Sequence, residues 1–473
     1  MNRLLGRILA FGLLTTALAG VFLFLLAQQR PIREDSLQFS QREPTQIARI
    51  DVSNAEGSYA ISYDSLEGGY VIGDVPAELA DMDRFIQFMM NAANLGAEAA
   101  IQGAGRLDDY GLEKPQAQIT VSFDDGQSLR FDLGDQEKVS GNYYLALEGR
   151  DGVYLYGKAA AEAFLADQSY FVSRQVTPPL QVSSPLSAIR DAEFSGKQLD
   201  ETIRIQAVMG ANDEIRKDAL SFGAATHLVR GRATHELDQA GGIRVLGSLL
   251  GIQAIKVEGY NLGDDELRSY GFDDPDMQVS FVLGDRALAD PRIELKLVRA
   301  GDDSFYAMVG GRNVVYLINR PAFYDLRYED LIMRYFISPM LVDVKGLSIR
   351  TPEESYEVSY DRTPEREEII TLNGKPIASE AFHAFYRLVT SAAADGELVR
   401  AEAPQNEASL EIIYRYKTEQ KPDDVLRFYP GSPRRMLVQV NDVIELDIRE
   451  SFVTRLIAAC QSLASGTAIE ENW

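Results

Sequence analysis

The sequence predicts an α+β protein, with an N-terminal transmembrane helix followed by three tandem antiparallel-sheet-plus-helix repeats, the third degenerate. Three features predict it. One long run near the N-terminus is free of charge. An ordered set of tyrosine, glycine and proline positions occurs twice in the same order. Elsewhere, short stretches alternate apolar and polar residues and are interrupted by single amphipathic helical patterns.

The N-terminus comes first. Residues 8–27 read ILAFGLLTTALAGVFLFLLA and carry no charge. At ~1.5 Å rise per residue this run spans roughly 30 Å, the thickness of a hydrocarbon core. Arg3 and Arg7 precede it, so the positive-inside rule places the N-terminus in the cytoplasm and the bulk outside it. The predicted location is the cell membrane, crossed once, with residues 1–27 as tip and anchor. Ala17-Leu18-Ala19 offers a signal-peptidase reading. Cleavage there would leave the apolar stub Val21-Phe22-Leu23-Phe24-Leu25-Leu26, which favours an uncleaved anchor.

Residues 28–46 are polar and lack periodicity, as expected of a stalk. The repeats are expected over residues 47–176, 186–338 and 341–465. In the first, Tyr110-Gly111-Leu112-Glu113-Lys114-Pro115 precedes the alternation Ile119, Val121, Phe123. In the second, Tyr270-Gly271-Phe272-Asp273-Asp274-Pro275 precedes Val279, Phe281, Leu283. Leu129, Phe131, Leu133 then correspond to Ile293, Leu295, Leu297, and Tyr143-Tyr144 to Phe305-Tyr306. Val153-Tyr154-Leu155 corresponds to Val315-Tyr316-Leu317, and each copy closes alike, in Tyr170-Phe171-Val172-Ser173 and Tyr335-Phe336-Ile337-Ser338. The third copy keeps leading strands at Leu347-Ser348-Ile349 and Tyr356-Glu357-Val358, the alternation Leu410, Ile412, Tyr414, and a hairpin at Asn441-Asp442. It lacks the Tyr-Gly step.

Each copy carries one amphipathic helix. The expected faces are Met82, Phe85, Ile86, Met89, Ala93; then Ile243, Leu246, Leu249, Leu250; then Phe382, Phe385, Leu388, Val389, Ala392, with Ser379 as N-cap. The Tyr-Gly step reads as a helical turn ended by a left-handed glycine, with Pro115 or Pro275 preventing its resumption. Tyr110 and Tyr270 are expected to pack inward and bond through their hydroxyls. The structural motif is thus Tyr110, Gly111, Pro115, Tyr144 and Tyr154 in the first copy, and Tyr270, Gly271, Pro275, Tyr306 and Tyr316 in the second.

The chain has 473 residues, 45% hydrophobic and 25% charged, as in globular proteins. With 47 basic and 71 acidic residues the net charge is −24, and that field disfavours nucleic acid as a partner. Cys460 is the sole cysteine and reads as a small buried residue. His227 and His235 are eight apart, a spacing that could put them on one helix face, but no zinc spacing is present. His383 reads as a core-edge residue. No nucleophile elbow or phosphate loop occurs, and Asp124-Asp125-Gly126 reads as a hairpin turn. No catalytic, cofactor-binding or metal residue is expected, and no enzyme activity.

The Tyr110-Gly111-Leu112-x-x-Pro115 motif, with Tyr143-Tyr144 and Val153-Tyr154-Leu155, resembles domain-of-unknown-function family 4340. The resemblance covers roughly residues 48–338. It implies a bacterial envelope protein with an N-terminal anchor and a β-rich extracytoplasmic region, often accompanying ABC transporters of the gliding-motility type. The expected function is a non-catalytic, membrane-anchored extracytoplasmic accessory or scaffold. Its partners would be the membrane, through residues 8–27, and ABC transporter subunits. The alternatives are an envelope glycan- or peptide-binding module, and a hydrolase using dispersed carboxylates.

Overall fold

The computed structural model describes residues 37–65, 68–208, 226–284, 292–365, 367–395, 404–419 and 421–469. The predicted anchor, residues 8–27, lies outside them. Among the described residues no helix is long and apolar enough to cross a membrane. The fold is rich in antiparallel sheet, and the described residues divide into two compact units, one ending at Ser173 and the other beginning at Arg174.

In the first unit an eight-stranded sheet runs, edge to edge, Gly69–Ile72, Gly57–Asp64, Ile47–Asn54, Ala117–Phe123, Ser128–Gln136, Tyr143–Leu147, Tyr154–Tyr156 and Ala99–Ala100. Alternation sets its faces: Ala117, Ile119, Val121 and Phe123 are buried, and the residues between them are half-buried or exposed. The helices Met82–Ala93 and Lys158–Leu165 supply core side chains. Phe88 is fully buried between Phe164 and Phe171, with ring centroids at 4.6 and 5.0 Å. Burying such a ring stabilises the fold by ~2–3 kcal/mol.

In the second unit a nine-stranded sheet is built around Ile189–Gly196 and Met277–Leu283, and an eight-stranded sheet around Val344–Arg350 and Leu410–Tyr416. In all three sheets a long leading strand pairs on one side with the strand that follows it. On its other side it pairs with the first strand of a four-stranded meander. That second pairing shifts register near the start of the leading strand each time, between Ile47 and Arg49, Ile189 and Asp191, and Val344 and Gly346.

Several expectations are corrected. Residues 37–46, read as the end of a stalk, belong to the first unit. Leu37 and Gln38 pair with Ala97 and Gly96, and Phe39 N–H donates to Leu95 O at 2.8 Å. On helix Met82–Ala93 the buried residues are Phe85, Phe88, Met89, Ala92 and Ala93, whereas Met82 and Ile86 are exposed. On helix Gln239–Gly247, Ile243 is exposed and Gly241, Gly242, Val245 and Leu246 face inward. A side chain at Gly241 would meet Asp330 O at 2.1 Å and one at Gly242 would meet Leu237 at 2.5 Å. The glycines therefore take the inner face, and the bulky Ile243 turns outward. Helix Ser379–Thr390 buries Phe382, Phe385, Leu388 and Val389 as expected, with Ala392 buried just beyond. Its N-cap is Ala378 rather than Ser379. His227 and His235 lie on two paired strands, His227–Arg230 and Thr234–Glu236, instead of one helix face. Cys460 is buried, and burial pushes its thiol up to about 12.

Candidate functional site

The Tyr-Gly steps form as turns. Leu107–Tyr110 is a short 3-10 turn closed by Gly111 at φ +68°, and Asp264–Ser269 is a helix followed by Tyr270 and by Gly271 at φ +90°. A side chain at Gly111 would meet the Asp135 carboxyl at 2.6 Å, so left-handed backbone and close approach both require glycine there. Pro115 and Pro275 then lead into the strands Ala117–Phe123 and Met277–Leu283.

The tyrosines depart from the expected inward packing. Tyr110 and Tyr270 are half-buried on the surface of their units. Tyr110 meets Tyr144 edge-on at 4.9 Å and 68°, and Tyr270 meets Tyr306 at 5.0 Å and 79°. The Tyr110 hydroxyl accepts from Gly105 N–H at 3.1 Å. Burial raises the pKa values of Tyr144 and Tyr270. Tyr154 lies apart from that pair, edge-on to Phe39 at 4.8 Å, with its hydroxyl donating to Asp151 O. Tyr316 is buried in its unit. The structure therefore joins four of the ten motif residues into two like aromatic pairs. Of the rest, the glycines and prolines are turn positions, Tyr316 is core and Tyr154 is a half-buried strand residue.

Sequence reasoning missed a nearly fully buried polar cluster, which joins the two sheets of the second unit. Thr234–Glu236 is an edge strand of one sheet and Val443–Arg449 an edge strand of the other. His235 Nε2 lies 2.9 Å from Glu445 Oε2, with the two side chains 3% and 4% exposed. The Tyr328 hydroxyl donates to Ala233 O at 3.1 Å and reaches Glu445 Oε2 at 3.5 Å. Burial, reinforced by Glu445, raises the Tyr328 pKa. Arg232 spans the same junction to Ile444 O at 3.5 Å. Among the described residues His235 Nδ1 and Glu445 Oε1 have no hydrogen-bond partner.

A second missed cluster lies within the third sheet and its helix. Glu368, on strand Glu368–Leu372, accepts from Ser379, from Arg362 at 2.8 Å, from His383 Nε2 at 2.8 Å and from the Tyr360 hydroxyl at 3.2 Å. Ser379 first, then Arg362 and His383, hold its carboxyl down at about 2. A third cluster sits nearby in sequence. Asp424 accepts from the Tyr416 hydroxyl at 2.5 Å and from Asn441 at 3.2 Å and pairs with Lys421 at 3.0 Å. Burial lowers the Lys421 pKa. Among the described residues no group of three or more histidine, cysteine or acidic side chains is placed to hold a metal ion.

Each cluster links one element to another by hydrogen bonds to a carboxylate. Ile444, Glu445 and Leu446 are all buried, and the pairing with strand Arg435–Val440 shifts register there, between Val438 and Gln439, which leaves Glu445 as the extra residue of a bulge.

A protein-family model described as "Domain of unknown function (DUF4340)" matches residues 70–216 and 236–408. No curated protein and no solved structure matches the chain.

Proposed function

The chain belongs to the DUF4340 family, and on that premise we propose that it is a membrane-anchored extracytoplasmic accessory or scaffold protein, without catalytic activity of its own, that serves an ABC-type transport system. In this reading residues 8–27 are an uncleaved anchor with the N-terminus in the cytoplasm. The three sheets are copies of one unit, the third diverged. The matching pairing of each leading strand, the register shift near its start and the two Tyr–Tyr pairs support duplication. The transporter setting comes from the family resemblance.

One observation carries the scaffold reading. The polar groups in the most unusual environments, His235–Glu445–Tyr328 and Glu368, each join one element of this chain to another. Their chemistry is used to hold shape, as a protein that presents surfaces requires. Tandem modules on an anchor suit extended contact with a partner.

The test is gentle detergent extraction from the native host and capture through a C-terminal tag. Co-purification of ABC transporter subunits in near-stoichiometric amount is the expected result. Recovery of folded protein alone would reject the accessory reading. In that event a second reading, binding of an envelope glycan or peptide, gains weight from the half-buried pairs Tyr110–Tyr144 and Tyr270–Tyr306, which present aromatic surface.

A further inference from the structure

Helix Met82–Ala93 has an apolar surface beyond the one its unit uses. Met82, Ile86 and Met90 are 55%, 50% and 46% exposed. Spaced by four, they form a stripe one side chain wide along the helix, flanking the buried face of Phe85, Met89 and Ala93. At ~1.5 Å per residue the stripe is roughly 12 Å long. Tyr63, 52% exposed, belongs to the same unit, and its ring meets Tyr70 at 5.3 Å, which in turn meets Phe85 of the helix at 5.5 Å.

The corresponding helices of the second unit lack this stripe. Gln239–Gly247 exposes Ile243 alone, and Ser379–Thr390 exposes no large apolar side chain. The stripe is therefore confined to the helix nearest in sequence to the apolar run 8–27.

The entry of the chain into the first unit suggests what covers the stripe. Phe39 N–H donates to Leu95 O at 2.8 Å, Ser40 Oγ to Ala93 O at 2.8 Å and Arg42 N–H to Ala93 O at 3.3 Å. The chain thus enters the unit beside the helix end that carries Met90. Nine residues, 28–36, separate Leu37 from the apolar run, and fully extended they span at most roughly 30 Å. An anchor in the bilayer would hold this helix end within that distance of the lipid surface.

We propose that the Met82–Ile86–Met90 face of the first unit rests on the lipid bilayer that holds residues 8–27, at the boundary of headgroups and acyl chains. This rests on the anchored reading given above. An apolar stripe on an amphipathic helix suits that boundary. The net charge of −24 opposes an anionic surface, so the contact is made by apolar burial and survives high salt.

The test uses the full chain reconstituted in phosphatidylcholine vesicles containing nitroxide-labelled lipid. A fluorophore is placed by Ile86→Cys or Met90→Cys, and for comparison by Val139→Cys, a position 94% exposed. Native Cys460 is buried and stays unlabelled. Lipid nitroxides should quench labels at 86 and 90 several-fold more than the label at 139, and aqueous iodide should show the reverse order, at low and high salt alike. Flotation after an alkaline carbonate wash reports the anchor separately. A chain that floats while 86 and 90 are quenched no more than 139 overturns the docking and leaves the anchor standing. Shielding of 86 and 90 from both quenchers assigns the face to protein and overturns it too. A chain that does not float overturns the anchored reading and the docking with it.

Discussion

The second unit contains two histidine–glutamate pairs that differ in almost everything except their chemistry. His235 and Glu445 are 210 residues apart in sequence, nearly fully buried, and belong to different sheets. His383 and Glu368 are 15 apart, 35% and 16% exposed, and tie a strand to the helix that covers it. Glu368 is saturated by donors, whereas Glu445 leaves one oxygen without a partner among the described residues. A water-facing carboxylate can gather donors cheaply. A buried one depends on the few that the fold delivers, so losing either member leaves an uncompensated polar group. The buried pair should therefore govern the stability of the junction between the sheets, and the surface pair should mainly set an acid response.

The largest expected effect is at the buried pair. Glu445→Ala should lower the opening free energy of the strands Thr234–Glu236 and Val443–Arg449 by about 3–5 kcal/mol, read by native-state hydrogen exchange. A loss confined to ordinary surface values, under ~1 kcal/mol, would break the comparison. Glu368→Ala should cost about 1–2 kcal/mol, because its partners can turn to water.

The acid response sharpens the contrast. The folded-state carboxyl of Glu368 is held at about 2, below the ~4.3 of an unfolded chain. The unfolded state therefore binds the proton first. The stabilisation is complete above about pH 4.3 and is lost as pH falls through about 2. Glu368→Gln should flatten stability across that window, seen as a shallower acid limb in an unfolding series, while His383→Gln should retain most of the slope, since Ser379 and Arg362 still donate.

Smaller effects separate the two Tyr-Gly turns. Gly111→Ala and Gly271→Ala both place a side chain on a positive-φ backbone, at +68° and +90°, but the first also meets the Asp135 carboxyl at 2.6 Å, whereas the second meets Val298 at 3.3 Å. The first should cost about 2 kcal/mol or more and the second about 1 kcal/mol, measured by thermal or urea unfolding. Tyr110→Phe removes one half-exposed hydrogen bond and should cost ~0.5–1 kcal/mol.

The same contrast explains what the sequence made legible. Local signals sufficed for the strands through Ile119, Val121 and Phe123 and for the left-handed turn at Gly111, because alternation and turn chemistry act over a few residues. The helix faces were less legible. Apolar size drew attention to Met82, Ile86 and Ile243, whereas burial followed Phe88 in one helix and the glycines at 241 and 242 in another. The short strand Leu37–Gln38 is held by backbone bonds, which polar side chains do not announce. His235 and Glu445 meet only because two sheets abut, and no local pattern encodes that.

The central claim is that the described units lie outside the cytoplasm on a single anchor. The most direct measurement is labelling of Val139→Cys in intact cells with a membrane-impermeant maleimide, after the outer envelope is made permeable. Cys460 serves as the internal silent position. The account predicts that Val139→Cys reacts fully before lysis and that native protein stays unlabelled. Reaction only after the inner membrane is broken would place the units in the cytoplasm and contradict the anchored accessory reading.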